Sequence, residues 1–253
     1  MPSALTPTPV ALLIGASSGI GAALARKLAQ DGYALALLAR RVEALNELAE
    51  EIQRQHGAGR ARVYAHDVTH YAEAPALFQT ILRELGRIDV VIYNSGVMPR
   101  VALNEYNFDK DRQMVEVNVL GALAWLNQAA VLFERQGSGQ IVGISSIAGE
   151  RGRVGAPGYG LTKAALTTLL ESLRNRLTRK GVQVLTVKPG FVDTEMLKNA
   201  SRTFWVISPD QAATDIYQAM RARRQTIFTP ARWGLVALVL RHIPSFIFRR
   251  LSF

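Results

Sequence analysis

The sequence predicts an α/β fold: a single doubly wound, mainly parallel sheet of seven strands with helices on both faces. Three observations predict it. Short runs that are apolar throughout alternate with longer segments of helical period along most of the chain. The first of these runs ends in a glycine-rich turn that opens a helix. No linker, repeat or low-complexity stretch interrupts the alternation, so residues 8–230 read as one domain and residues 231–253 as a basic, hydrophobic C-terminal tail.

The elements follow in order. After a loose lead-in carrying Pro2, Pro7 and Pro9 come strand VALLI, helix GIGAALARKLAQ, strand YALALLA, helix VEALNELAEEIQ, strand RVYAH, helix YAEAPALFQTILREL and strand IDVVIY. The second half continues with a helix near residues 105–134, strand IVGIS, helix 157–179, strand VQVLTV, helix 209–222 and strand TIF. Runs this short, without a polar face, suit parallel strands covered by helices on both sides.

Composition narrows the function classes. With 49% apolar and 20% charged residues the chain is globular, and with no cysteine it has neither disulfides nor thiolate chemistry, which fits a cytoplasmic setting. Nothing at the N-terminus has the form of an export signal. The net charge is +10, but after Asp215 there is no acidic residue and no lysine while seven arginines follow. The excess therefore belongs to the end of the chain, and no zinc finger, basic zipper or RNA-binding signature points to nucleic acid.

The turn Gly15-Ala16-Ser17-Ser18-Gly19-Ile20-Gly21 is the first motif with chemistry. Glycines there let the backbone approach a pyrophosphate, whose charge is drawn to the free N–H groups of the helix start. The same residues read as G-x-S-x-G, which would make Ser17 a hydrolase nucleophile, but only fourteen residues precede Gly15 and no oxyanion loop is present. A P-loop is excluded, since no Gly-Lys-Ser/Thr follows. At the end of the second strand, where an NAD-preferring fold places a carboxylate, stand Arg40 and Arg41. Two arginines before a helix oppose its dipole, so a bound 2′-phosphate explains them better, and NADP(H) is expected over NAD(H) by roughly ten- to a hundredfold.

Further motifs agree in order and spacing: Asp67-Val68, Asn94-Ser95-Gly96, Asn118, Ser146, Tyr159-x3-Lys163 and Lys188-Pro189-Gly190-Phe191-Val192-Asp193-Thr194. With them, residues 10 to 230 resemble the short-chain dehydrogenase/reductase family, a Rossmann-like group of NAD(P)-dependent oxidoreductases. The resemblance implies Asn118, Ser146, Tyr159 and Lys163 as the catalytic set. It makes Lys163 also a ligand of the nicotinamide ribose and Asn118 the holder of a water in a proton path. It implies Ser17, Ser18, Ile20 and the glycines along the pyrophosphate, Asp67 and Val68 at the adenine, and Asn94 and Gly96 against the adenosine ribose. Pro189, Gly190, Val192 and Thr194 fall to the nicotinamide side. Ile14, Tyr93 and Ser95 depart from the family's usual residues at scaffold positions.

The chemistry also follows from the side chains. Tyr159 and Lys163 are four apart on a helix, hence on one face. Ionising a tyrosine at pH 7 costs roughly 4 kcal/mol, and a cation about 4 Å away at an effective dielectric near 20 supplies about that much. Lys163 is thus expected to lower the Tyr159 phenol, which would pass a proton to or from a carbonyl oxygen while Ser146 stabilises the charge there. His66 and His70 flank a strand-to-loop junction, and no metal is expected.

In the tail, the apolar run Trp233–Leu240 covers about 12 Å as a helix, too short for a hydrocarbon core near 30 Å. Arginines and aromatics there fit a flap over the subunit's own site, a contact in a homodimer or homotetramer, or a membrane-surface segment. Met196, Leu197, Phe204, Trp205 and Val206 suggest an apolar substrate pocket, and a membrane-surface tail would favour a lipid-like carbonyl or alcohol. The competing readings are an idle NADP-binding or membrane-attached scaffold, and an extended epimerase or dehydratase, for which too little chain follows Thr194.

Overall fold

The computed structural model describes residues 8–200 and 203–251. Most of the lead-in, and Ser201 and Arg202 of the expected substrate loop, lie outside the described residues. The strands are β1 (Val10–Ile14), β2 (Ala34–Ala39), β3 (Ala61–Ala65), β4 (Val90–Tyr93), β5 (Gly139–Ile144), β6 (Val182–Pro189) and β7 (Thr226–Thr229). They form one sheet in the order β3-β2-β1-β4-β5-β6-β7, and every pairing is parallel.

The two-sided apolarity of the strands is used as expected. Ala11 and Leu13 of β1 face one core with helices α1 (Gly19–Gln30), α2 (Val42–His56) and α7 (Pro209–Arg221). Leu12 and Ile14 face the other core, with α3 (Ala74–Leu85), α5 (Gly121–Gln136) and α6 (Pro157–Leu177). The strand order reverses between β1 and β4, and a crevice opens at the carboxyl ends of strands at such a reversal. Gly15 and Asn94 sit there, one residue beyond their strands.

Several boundaries differ from the sequence expectation, each for a local reason. The helix foreseen from Tyr71 begins at Ala74, because the N–H groups of His70 and Glu73 close turns onto Asp67 and His70 first. The helix foreseen near residue 105 is α4 (Phe108–Val115), capped by the Asn107 side chain, which accepts from the Lys110 N–H at 3.1 Å. It runs into α5 through a widened π turn, Glu116–Leu120. The whole stretch Phe108–Gln136 has the length and hydropathy of a membrane span, yet Trp125, Leu126, Ala129 and Phe133 are fully buried in the core. After β7 the chain forms α8 (Trp233–His242) and the single turn α9 (Ser245–Phe248).

Candidate active site

The glycine turn is forced by steric contact. Gly15 has φ 90°, and a Cβ on it would lie 2.6 Å from the Ser95 N. A Cβ on Gly19 would lie 2.8 Å from Thr194 Cγ2, and one on Gly21 would meet the Gly15 carbonyl oxygen at 2.2 Å. Asn94 braces the loop, its Nδ2 donating to that carbonyl at 2.7 Å. Ser18 precedes α1 in extended conformation without capping it by its side chain. The first N–H groups of α1 are thus left for an anion, and the glycine cradle fits a dinucleotide pyrophosphate.

The two arginines after β2 are placed differently. Arg41 reaches across the turn, its Nη2 donating to Ser17 Oγ at 3.2 Å and also to Ser18 Oγ, while its Nη1 pairs with Glu195 at 3.1 Å. Arg40 pairs with Asp67 at 3.4 Å. Burial acts to raise the Asp67 carboxyl, but the N–H and hydroxyl of Thr69 together with Arg40 outweigh it and hold the group below its usual range. Val68 is buried in the core, with both its Cβ and its carbonyl oxygen close to Gly121.

At the other end of the crevice, Ser146 follows β5, and its Oγ accepts the Ala148 N–H at 3.1 Å at the start of a 3-10 turn, Ile147–Glu150. Tyr159 and Lys163 lie in the first two turns of α6, whose start is set by Ala156 at φ 50° and by Pro157. Both are buried, and the Lys163 Nζ lies 5.7 Å from the Tyr159 ring centre. Lys163 donates to the Ile144 carbonyl at 2.9 Å. A Cβ on Gly96 would be 3.3 Å from the same ammonium and 3.4 Å from Asn118 Oδ1, so Gly96 belongs to this end.

Asn118 lies in the π turn and is fully buried. Its Oδ1 accepts the Val97 N–H at 2.8 Å, and its Nδ2 donates to Val97 O and to Thr162 Oγ1, both at 3.0 Å. Thr162 in turn donates to the Tyr159 carbonyl at 2.8 Å. The sequence reading passed over Thr162; a polar residue one position before Lys163, on the buried side of α6, was the signal available. Ser145 was passed over too, although its Oγ donates to the Lys163 carbonyl at 2.9 Å and fixes that turn of helix.

The electrostatics correct one expectation. Burial pushes the Tyr159 phenol up to about 12, against the opposing pull of the Ser146 hydroxyl and the Arg153 guanidinium. Burial also pulls Lys163 down to about 8. Lys163 therefore does not lower the phenol here: its ammonium is spent on the Ile144 carbonyl, and desolvation of both groups dominates. At neutral pH Tyr159 holds its proton, the state a proton donor needs.

The nicotinamide-side residues lie on the far wall. Pro189 ends β6, the Gly190 N–H donates to Thr229 O at 2.9 Å, and a Cβ on Gly190 would collide with the Trp233 indole. Val192 is buried and bridged to Ile207, and the Thr194 hydroxyl donates to Val192 O at 3.3 Å. Beyond them Phe191, Phe204, Trp205 and Trp233 form one aromatic cluster with ring centres 5.1 to 5.7 Å apart. His66 is buried edge-on against Trp125 with its Nδ1 3.5 Å from Glu73, and no group of three metal-ligating side chains occurs among the described residues.

Comparison with known proteins agrees with this geometry. The family profile for short chain dehydrogenases matches residues 9–204. An uncharacterised oxidoreductase of Staphylococcus epidermidis is 34% identical over 187 residues, 74% of this chain and 79% of that one. A short-chain dehydrogenase from Sphingobium yanoikuyae, solved with NADPH, superposes with TM-score 0.81 at 27% identity over 94% of this chain and 97% of that one. An alcohol dehydrogenase from the archaeon Thermococcus sibiricus, solved with 5-hydroxy-NADP, gives 0.79 at 29% identity over 87% and 95%.

Proposed function

Since the chain belongs to the short-chain dehydrogenase/reductase family and is an NAD(P)-dependent oxidoreductase, we propose that it interconverts a carbonyl and a secondary alcohol with NADP(H), Tyr159 acting as general acid and base. One observation carries this reading: Ser146, Tyr159 and Lys163 are buried, with the Lys163 ammonium 5.7 Å from the Tyr159 ring centre, and the loop carrying Asn94 and Gly96 joins them to the glycine cradle. The bound nicotinamide supplies or accepts the hydride. The protein's own part is the proton and the charge. Tyr159, protonated at neutral pH, gives its proton to the carbonyl oxygen in reduction and takes it back in oxidation. Ser146 donates a hydrogen bond to the same oxygen as negative charge builds there. Lys163, its ammonium anchored on the Ile144 carbonyl, holds the ribose. Asn118 keeps the π turn against Val97 and α6, and orders the wall through which protons are replaced.

Arg40 and Arg41 receive the 2′-phosphate; their place beside the cradle supports NADP(H) over NAD(H), as does NADPH in the Sphingobium yanoikuyae structure. The aromatic cluster and Met196 support an apolar, lipid-like substrate. We place residues 8–230 as the catalytic unit of a cytoplasmic homodimer or homotetramer. On α8, Trp233 and Ala237 face inward while Leu235, Leu238 and Val239 face outward, a surface for a neighbouring subunit or a membrane. Following NADPH absorbance at 340 nm with a panel of aryl and long-chain ketones tests the reading; turnover is expected with NADPH, and an idle scaffold would give none.

A further inference from the structure

A groove of about 440 Å³ lies between the segment after the Ser146 turn and the C-terminal helices. Arg151, Arg153 and Arg249 line it together with Val154, Phe248 and Leu251, and no acidic side chain does among the described residues. Its walls are firmly held. The Arg151 guanidinium donates to the Leu240 carbonyl at 2.7 Å and to the Ile243 carbonyl, and stacks 3.9 Å over the Phe248 ring. One residue earlier, the Glu150 carboxylate is 2% exposed and lies between the Lys188 ammonium, at 2.6 Å, and the Arg241 guanidinium. These contacts fasten the tail to the turn after Ser146, and that turn to the strand end before Gly190.

Arg151 is thereby consumed, but Arg153 is not. It is half-buried and has no hydrogen-bond or ion-pair partner among the described residues. Burial pulls its guanidinium below its usual range, and it feels the Tyr159 phenol. A guanidinium removed from water without a counter-charge is costly unless an anion joins it, and its planar fork suits a carboxylate or phosphate. Arg249, exposed on the opposite wall, adds a second cation, while Val154 and Leu251 supply apolar surface.

We infer that this groove is the subsite for the anionic end of an amphiphilic carbonyl substrate, with Arg153 pairing its carboxylate or phosphate and Val154 and Leu251 bordering its apolar body. The inference rests on Tyr159 as the reducing centre, because the substrate must reach both.

Two arms test it on the full-length protein. In the first, calorimetry measures dodecanoate, dodecyl phosphate and 1-dodecanol. Both anions are expected to bind roughly ten- to a hundredfold more tightly than the alcohol, a preference that Arg153→Leu removes and Arg153→Lys partly restores. Equal binding of anion and alcohol by the native protein, or a preference that survives Arg153→Leu, overturns the inference. In the second, NADPH-dependent reduction compares benzoylformate with its methyl ester. The acid-to-ester ratio of kcat/KM is expected to fall about tenfold or more in Arg153→Leu, and an unchanged ratio overturns it. If neither ketone is turned over, the reductase reading fails on its own while the calorimetric arm still decides the groove.

Discussion

The two ends of the crevice are built by different means. Around the cradle, position is dictated by backbone: Gly15, Gly19 and Gly21 have no room for a Cβ, and the nearest atoms at Gly15 and Gly21 include main chain. Around Tyr159 and the wall beyond it, position is dictated by side chains: Asn118 on Thr162, Lys163 on Ile144, Trp233 against Gly190, Arg241 on Glu150. A backbone device admits one ligand class and little variation. A side-chain device can be retuned residue by residue, which is how one cofactor scaffold accepts different substrates.

Variants can break that contrast. The largest effect on the cradle is expected from Gly21→Val, whose side chain must displace the Gly15 carbonyl and Asn94. NADPH affinity should fall by about a hundredfold or more, measured by quenching of tryptophan fluorescence well below a melting temperature that the overpacked turn also lowers. An affinity unchanged within about threefold would mean the turn is not the pyrophosphate site. Next in size, replacing Arg40 and Arg41 together by alanine should cut the NADPH over NADH preference in kcat/KM by roughly ten- to a hundredfold. A preference that persists places the selectivity elsewhere.

Lys163 sharpens the side-chain half of the comparison through pH. Its folded value near 8 lies below its ordinary 10.5, so between those values the unfolded chain binds more protons than the folded one, and stability should rise with pH there. Below pH 8 the fold carries the cost of a buried ammonium. Lys163→Met should therefore stabilise the protein at pH 7 and flatten that rise in denaturant titrations, while turnover drops. A variant less stable than the native chain at pH 7 would show the ammonium to be well compensated. Smallest, Trp205→Ala removes a half-exposed ring packed edge-on against Trp233; KM for an apolar ketone should rise only a few-fold, roughly the effect of about 1 kcal/mol. NADPH affinity is the control that should not follow it.

How much of this was legible in the sequence follows the same division. The parallel seven-stranded sheet with helices on both faces was readable because the strands are apolar on both faces and the glycines sit at a strand-to-helix turn; these are local patterns, whereas the order of the strands in the sheet was not read. Tyr159, Lys163 and Ser146 were readable because their spacing is fixed by one helix and one strand end. The direction of the Tyr159 shift was not. It depends on how completely the phenol is buried and on Lys163 finding the Ile144 carbonyl, which only long-range packing decides. The π turn at Asn118, the part of Thr162 and the unpaired Arg153 escaped for the same reason: each is defined by a partner gained, or missing, far along the chain. The tail's charge was plain in composition, but that Arg241 meets a buried Glu150 was not.

Tyr159→Phe, assayed for NADPH binding and for ketone reduction on the same preparation, bears most directly on the claim that the buried phenol is the proton carrier. NADPH should still bind within about an order of magnitude of the native protein while kcat falls about a hundred- to ten-thousandfold. A variant that binds NADPH and reduces the ketone at the native rate would contradict the account.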